Sequence, residues 1–197
     1  MARPRAASSA ASDAPAPRRR RAPARAATAP RTSPHDEAIA RSVAHLAAEG
    51  RTPTAVQRAV FEALASRAPL LVVAPTGSGK TAAVMLPLLA ALAAQRDDAI
   101  PGTRVLYLTP VRALADGHGA TLAAMARALS PRITVGVRTG DTSSHARAKL
   151  KRAPPDVLIT TPESLAVLLA TDARAPLAAV TDVVLDEVHE QLSLIHI

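Results

Sequence analysis

At 197 residues, 48% of them hydrophobic, the chain has room for about one domain plus appendages and enough apolar content for a core. With one Phe, one Tyr, no Trp and no Cys, that core must be aliphatic, and disulfide frameworks and thiolate metal sites are excluded. The net charge of +8 is local: residues 1–34 hold eight Arg against Asp13, and the remainder holds 16 basic and 15 acidic side chains. Nucleic-acid affinity of the folded part therefore cannot rest on a bulk positive field. No apolar run approaches the length of a membrane span.

Met1 to Pro34 is low-complexity Ala/Pro/Arg/Ser sequence with no apolar periodicity, which predicts a disordered tail over residues 1–33. Its Arg18–Arg21 run offers non-specific phosphate contacts, and its six prolines argue against the amphipathic helix of a transit peptide. A folded domain is expected over residues 34–191. Asp36 to Glu49 reads as a helix with Ile39, Val43 and Leu46 on its buried face, stopped by Gly50. Thr54 is placed to cap a helix running to Ser66. Strand Leu70–Ala74 leads through a glycine loop into helix Thr81–Gln95. Strand Arg104–Thr109, helix Val111–Leu129, strand Ile133–Val137 and helix Ser143–Arg152 follow. Strand Asp156–Thr160, a short helix from Pro162 to about Ala170 and strand Thr181–Leu185 complete the set. Five short apolar strands alternating with helices predict an α/β fold, a parallel sheet covered on both faces.

Two stretches carry chemistry. Ala74-Pro75-Thr76-Gly77-Ser78-Gly79-Lys80-Thr81 stands between an apolar strand and a helix, the context of a phosphate-binding loop. Gly77 and Gly79 permit the tight turn, and the helix start adds unpaired N–H groups and its positive dipole end. Lys80 then reaches the β- and γ-phosphates of a nucleoside triphosphate, and the Thr81 hydroxyl joins the shell of a Mg²⁺ ion. Asp186 and Glu187 end the last strand, at the edge where such sheets bind ligands. The first of these acids can hold Mg²⁺ opposite Thr81, and its neighbour can polarise the attacking water. His35, His45, His118 and His145 share no ligand spacing and read as solvated.

With these residues in view, Asp186-Glu187-Val188-His189 resembles the DExH box of superfamily 2 helicases and Ala74–Thr81 their motif I. Pro53-Thr54 with Gln57 resembles the Q motif, which implies that Gln57 reads the adenine edge. Thr109, Pro110 and Arg112 fall in a block similar to motif Ia, and Thr161, Pro162 and Glu163 in one similar to motif Ib. The resemblance assigns these residues to the backbone of a loaded nucleic-acid strand, held largely by amides and small hydroxyls. Thr139 and Gly140 are assigned the same contact, and His189 is implied to couple nucleotide state to the strand. Gly136–Thr142 and Pro154–Glu163 look like the large helicase-related family of ATP-dependent 3′→5′ translocases in bacterial and archaeal DNA repair; ligase-associated helicases are closely similar.

What the resemblance implies is a RecA-like motor domain 1, ending at the DExH strand, of a cytoplasmic, nucleoid-associated bacterial or archaeal helicase. Its partners would be ATP, Mg²⁺, single-stranded or tailed duplex DNA with RNA as the alternative, and a second RecA-like domain supplying arginine fingers. No membrane partner is expected. Leu192–Ile197 resembles the translated end of a transposon adapter and is expected to be foreign to the domain. The alternative reading is a stand-alone P-loop ATPase or nucleotide switch without unwinding activity.

Overall fold

The computed structural model describes residues 33–66, 68–95 and 102–188. Of the expected tail over residues 1–33, residues 1–32 lie outside the described residues, as do His189 and the segment 192–197, whereas Ser33 caps the first helix.

Helix α1 (Pro34–Ala48) starts at a capping box: Ser33 Oγ accepts the Asp36 N–H at 3.1 Å, and the Asp36 carboxylate accepts the Ser33 N–H. Its buried stripe is Ala38, Ser42 and Leu46, rotated from the expected Ile39, Val43 and Leu46; Val43 is 38% exposed. Small side chains at 38 and 42 let α1 lie close against its neighbour, and the Ser42 hydroxyl is satisfied by donating to Ala38 O at 2.8 Å. Helix α2 (Ala55–Leu64) is capped by Thr54, as the sequence predicts, and here too the box is reciprocal, with Gln57 as its second member. Helix α3 (Lys80–Ala94) receives both α1 and α2.

Four parallel strands form one sheet: β1 (Val105–Leu108), β2 (Val135–Arg138), β3 (Val157–Thr160) and β4 (Asp182–Leu185), in the order β2-β3-β1-β4. Helix α4 (Arg112–Leu129) joins β1 to β2 and helix α5 (Ser144–Arg152) joins β2 to β3. Helix α6 (Pro162–Leu169) and a 3₁₀ segment (Asp172–Ala179) join β3 to β4. The alternation of side chains along each strand divides the core. Val105, Tyr107, Val157 and Ile159 meet Met85 and Leu89 of α3 and Leu122 and Ala126 of α4. Leu106, Leu108 and Leu158 meet Leu168 of α6, with Leu165 and Leu177 alongside. Each fully buried Leu or Val contributes on the order of 1.5–3 kcal/mol, so these two clusters hold the sheet.

The expected strand Leu70–Ala74 is not formed: among the described residues it pairs with no strand, and Leu71 and Val73 are 73% and 86% exposed. An apolar run has strand propensity, but a ladder also needs a bonded neighbour, and residues 70–74 pair with neither edge strand, β2 or β4.

Candidate functional site

Parallel register brings the strand ends into rows. Arg138, Thr160, Leu108 and Leu185 lie side by side, so the residues that follow, Thr139, Thr161, Thr109 and Asp186, share one edge of the sheet. Every chemistry-bearing block downstream of the glycine loop leaves from that edge.

In the loop, Gly77 and Gly79 have φ of +76° and +88°, left-handed values that a glycine adopts without strain. A Cβ at Gly79 would stand 3.0 Å from Gln57 Nε2, so the loop backbone rests directly on that side chain. Gly79 is the N-cap of α3 and no side chain caps it, which leaves the N–H groups of the first helical turn for a ligand. The Lys80 ammonium donates to Ala74 O at 2.7 Å and Pro75 O at 3.1 Å, so it arches over the loop's own carbonyls. Thr54 Oγ1 donates to Ser78 O at 3.2 Å, tying the start of α2 to the loop. Ser78 Oγ and Gln57 Nε2 are buried without a hydrogen-bond partner. Left-handed glycines, uncapped N–H groups and orphaned polar atoms around one loop fit a polyanionic phosphate ligand.

Gln57 is fully buried, and its Oε1 accepts the Thr54 N–H at 2.9 Å, so only Nε2 is left to face a ligand or the loop. Two readable atoms on an adenine edge would require that cap bond to open.

At the far end of the site, Asp186 is held from both oxygens. Its Oδ2 accepts the Tyr107 hydroxyl at 2.5 Å and lies 3.1 Å from His118 Nε2, while its Oδ1 accepts the Glu187 N–H at 3.0 Å. The Thr81 hydroxyl is near enough to the same phenol to favour its ionised form slightly, so Thr81 and Asp186 approach one side chain. Burial, and then the bond to Asp186, push the Tyr107 phenol far above its ordinary range, keeping it neutral and a donor. Glu187 has φ of +47°, a left-handed backbone that costs a non-glycine residue roughly 1–2 kcal/mol and re-aims the chain just past the strand.

The sequence did not reveal this cluster. His118 is not solvated: its side chain is 22% exposed and engages Asp186 and the Tyr107 ring, whose centroid is 5.3 Å away. His45, 13% exposed, lies 3.5 Å from Glu49 and is likewise mostly enclosed. The available signal was the lone tyrosine in a buried strand, since a buried hydroxyl requires a partner.

The residues assigned to a strand divide in two. Pro110, Arg112, Gly140, Pro162 and Glu163 reach the surface along the sheet edge, whereas Thr109, Thr139 and Thr161 are buried. Thr161 Oγ1 caps α6, and the Thr139 N–H is bonded by Thr142 Oγ1 at 2.8 Å, so these residues shape turns. Arg112 pairs with Asp141 at 3.0 Å and its guanidinium lies against Gly140, which joins two of the assigned blocks. Among the described residues no group of three or more acidic, Cys or His side chains forms a metal cage, and no helix is long and apolar enough to cross a membrane.

Residues 54–194 match the family described as DEAD/DEAH box helicase. The chain is 44% identical over 147 residues to the Lhr helicase/probable uracil glycosylase of Mycolicibacterium smegmatis, covering 70% of the chain and 10% of that protein. It is 38% identical over 130 residues to the ATP-dependent helicase Lhr-Core of Sulfolobus acidocaldarius, covering 61% of the chain and 15% of that protein. Among solved structures, Mycobacterium smegmatis helicase Lhr bound to ssDNA and AMP-PNP matches with a TM-score of 0.62 and 38% identity, over 80% of this chain and 20% of that one. The chain thus spans between a tenth and a fifth of these relatives.

Proposed function

The chain belongs to the DEAD/DEAH box helicase family, and on that footing we propose that residues 34–191 form the first RecA-like motor domain of an ATP-dependent DNA helicase. The carrying observation is the Tyr107 phenol, which donates to Asp186 Oδ2 and whose ionisation the Thr81 hydroxyl also influences: two ligand types far apart in sequence approach one place beside the glycine loop. The loop amides and Lys80 would cradle the β- and γ-phosphates of ATP. Thr81 and Asp186 would hold Mg²⁺ between them, and the ion when bound supplies charge neutralisation for the phosphates. Glu187 is the base that orients and polarises the attacking water, aimed by its left-handed backbone. Gln57 senses the nucleotide from beneath the loop, through Nε2 toward the adenine or toward Gly79.

The exposed edge from Pro110 and Arg112 through Gly140 to Pro162 and Glu163 is the path for one nucleic-acid strand, gripped at its backbone. Single-stranded DNA is favoured over RNA because a solved relative at 38% identity is described with ssDNA and AMP-PNP. His189 would relay nucleotide state to a second RecA-like domain that brings the arginines for phosphoryl transfer. Unwinding and DNA-stimulated turnover would require that second domain together with this one. Movement in the 3′→5′ direction, a place in DNA repair and a cytoplasmic setting follow from the resemblance to large helicase-related proteins of bacteria and archaea.

Titration with ATP in Mg²⁺ tests the site. Lys80→Ala should lose measurable binding, and Glu187→Gln should bind normally yet show no turnover when the second domain is present. Unchanged affinity in Lys80→Ala would remove the loop from the site. Robust DNA-stimulated hydrolysis by the chain alone would favour the stand-alone ATPase.

A further inference from the structure

The Asp186 carboxylate is gripped more fully than a strand-end acid needs to be. Its Oδ1 accepts the Glu187 N–H, and its Oδ2 accepts the Tyr107 hydroxyl from β1 and lies 3.1 Å from His118 Nε2 of α4. Tyr107 is 1% exposed and lies in the middle of the core, so its hydroxyl cannot turn to solvent for a partner. His118 Nε2 lies 3.1 Å from the same oxygen, and its ring sits tilted at 48° against the Tyr107 ring, which limits its own rotation. The Thr81 hydroxyl is near enough to influence the same phenol.

We propose that Tyr107 and His118 are positioning residues that hold Asp186 in register with Thr81 and so set how tightly the site retains Mg²⁺. This rests on the reading of Thr81 and Asp186 given above. A carboxylate with several open rotamers must be ordered when the metal arrives, whereas one already oriented gives up less entropy. Groups behind a ligand usually change metal affinity by about 10–100-fold when removed, which is the scale expected here. The Tyr107 hydroxyl does two things at once: it fixes Oδ2 and relates the strand β4 acid to the first turn of α3. His118 adds a contact from α4, the helix that begins at the strand-binding residue Arg112, so a shift of that helix would be felt at Asp186.

The experiment uses the full chain and a fluorescent adenine nucleotide, titrated in EDTA and again across a Mg²⁺ series. For Tyr107→Phe and His118→Ala, affinity in EDTA should stay at the wild-type value. The Mg²⁺ concentration for half-maximal tightening should rise roughly tenfold, equivalent to about 1.4 kcal/mol. His118→Gln, which keeps an N–H donor at similar reach, should recover most of the difference. A second readout needs no nucleotide. The chain has one Tyr and no Trp, so its ultraviolet emission reports on Tyr107 alone. Asp186→Asn should brighten it by removing the carboxylate that accepts the phenol proton in the excited state.

Mg²⁺ midpoints unchanged in both variants, with wild-type binding still Mg²⁺-dependent, would overturn this inference and leave the nucleotide site standing. Wild-type protein that binds no nucleotide would overturn both. Should Tyr107→Phe fail to fold, His118→Ala and its glutamine partner decide the matter.

Discussion

Strands β1 and β4 lie side by side, pair residue for residue and are both rich in Val and Leu. β1 is buried at all four positions, Val105 and Tyr107 beneath α3 and α4, Leu106 and Leu108 against α6 and Leu177. β4 alternates: Val184 packs toward α3 and α4, while Val183 and Leu185 are 57% and 50% exposed on the other face. The strands differ in what covers them rather than in what they are made of. Pattern makes a strand, but a second layer turns that strand into stability. The chemistry follows the same division, since Asp186 continues the side of β4 that is covered and is held by Tyr107 and His118 from there.

That division can be broken by mutation. Leu122→Ala empties a fully buried site on α4 and should cost about 2–5 kcal/mol in denaturant unfolding. A loss below 1 kcal/mol there would mean that the covered half is no better packed than the other. Thr54→Ala removes the cap of α2 and the bond to Ser78 O, and should cost about 1–2 kcal/mol, read as a lower unfolding midpoint. The smallest effect belongs to the open half: Val183→Thr and Leu185→Ser should each stay within roughly 0.5 kcal/mol of wild type. Both should also reduce binding of a hydrophobic dye, because exposed apolar side chains on an edge strand invite association. Destabilisation on the Leu122→Ala scale would show that this face is packed after all.

Local signals were legible from the chain itself. The Thr54 cap, the Pro162 start of α6 and the glycine loop all depend on neighbours within a few residues, and the structure has them where the sequence predicts. Signals that depend on a partner elsewhere were not. The stripe of α1 is set by how closely Ala38 and Ser42 can approach α3, which hydrophobicity counting misplaces by a residue. Residues 70–74 have the composition of a strand, yet they pair with neither edge of the sheet. His118 was read as solvated because its partner lies on another strand, and only the register that sets Tyr107 opposite Val184 brings Asp186 within reach. Arg138, at the end of β2, is 9% exposed despite its charge, and that burial lowers its guanidinium pKa.

Gly119, the residue after His118, has a Cβ position only 2.5 Å from Val137 Cγ2, so α4 rides against β2 at a spacing no larger residue would allow. The missing methyl group works as a spacer of zero thickness beneath the histidine. Any side chain at 119 would lift this stretch of α4 from the sheet and carry the imidazole away from Asp186, although neither residue 119 nor Val137 touches the acid's chemistry. In related sequences, positions 118 and 119 should therefore change as a pair: where the histidine is kept the glycine should be kept, and where one is lost the other is released from its constraint.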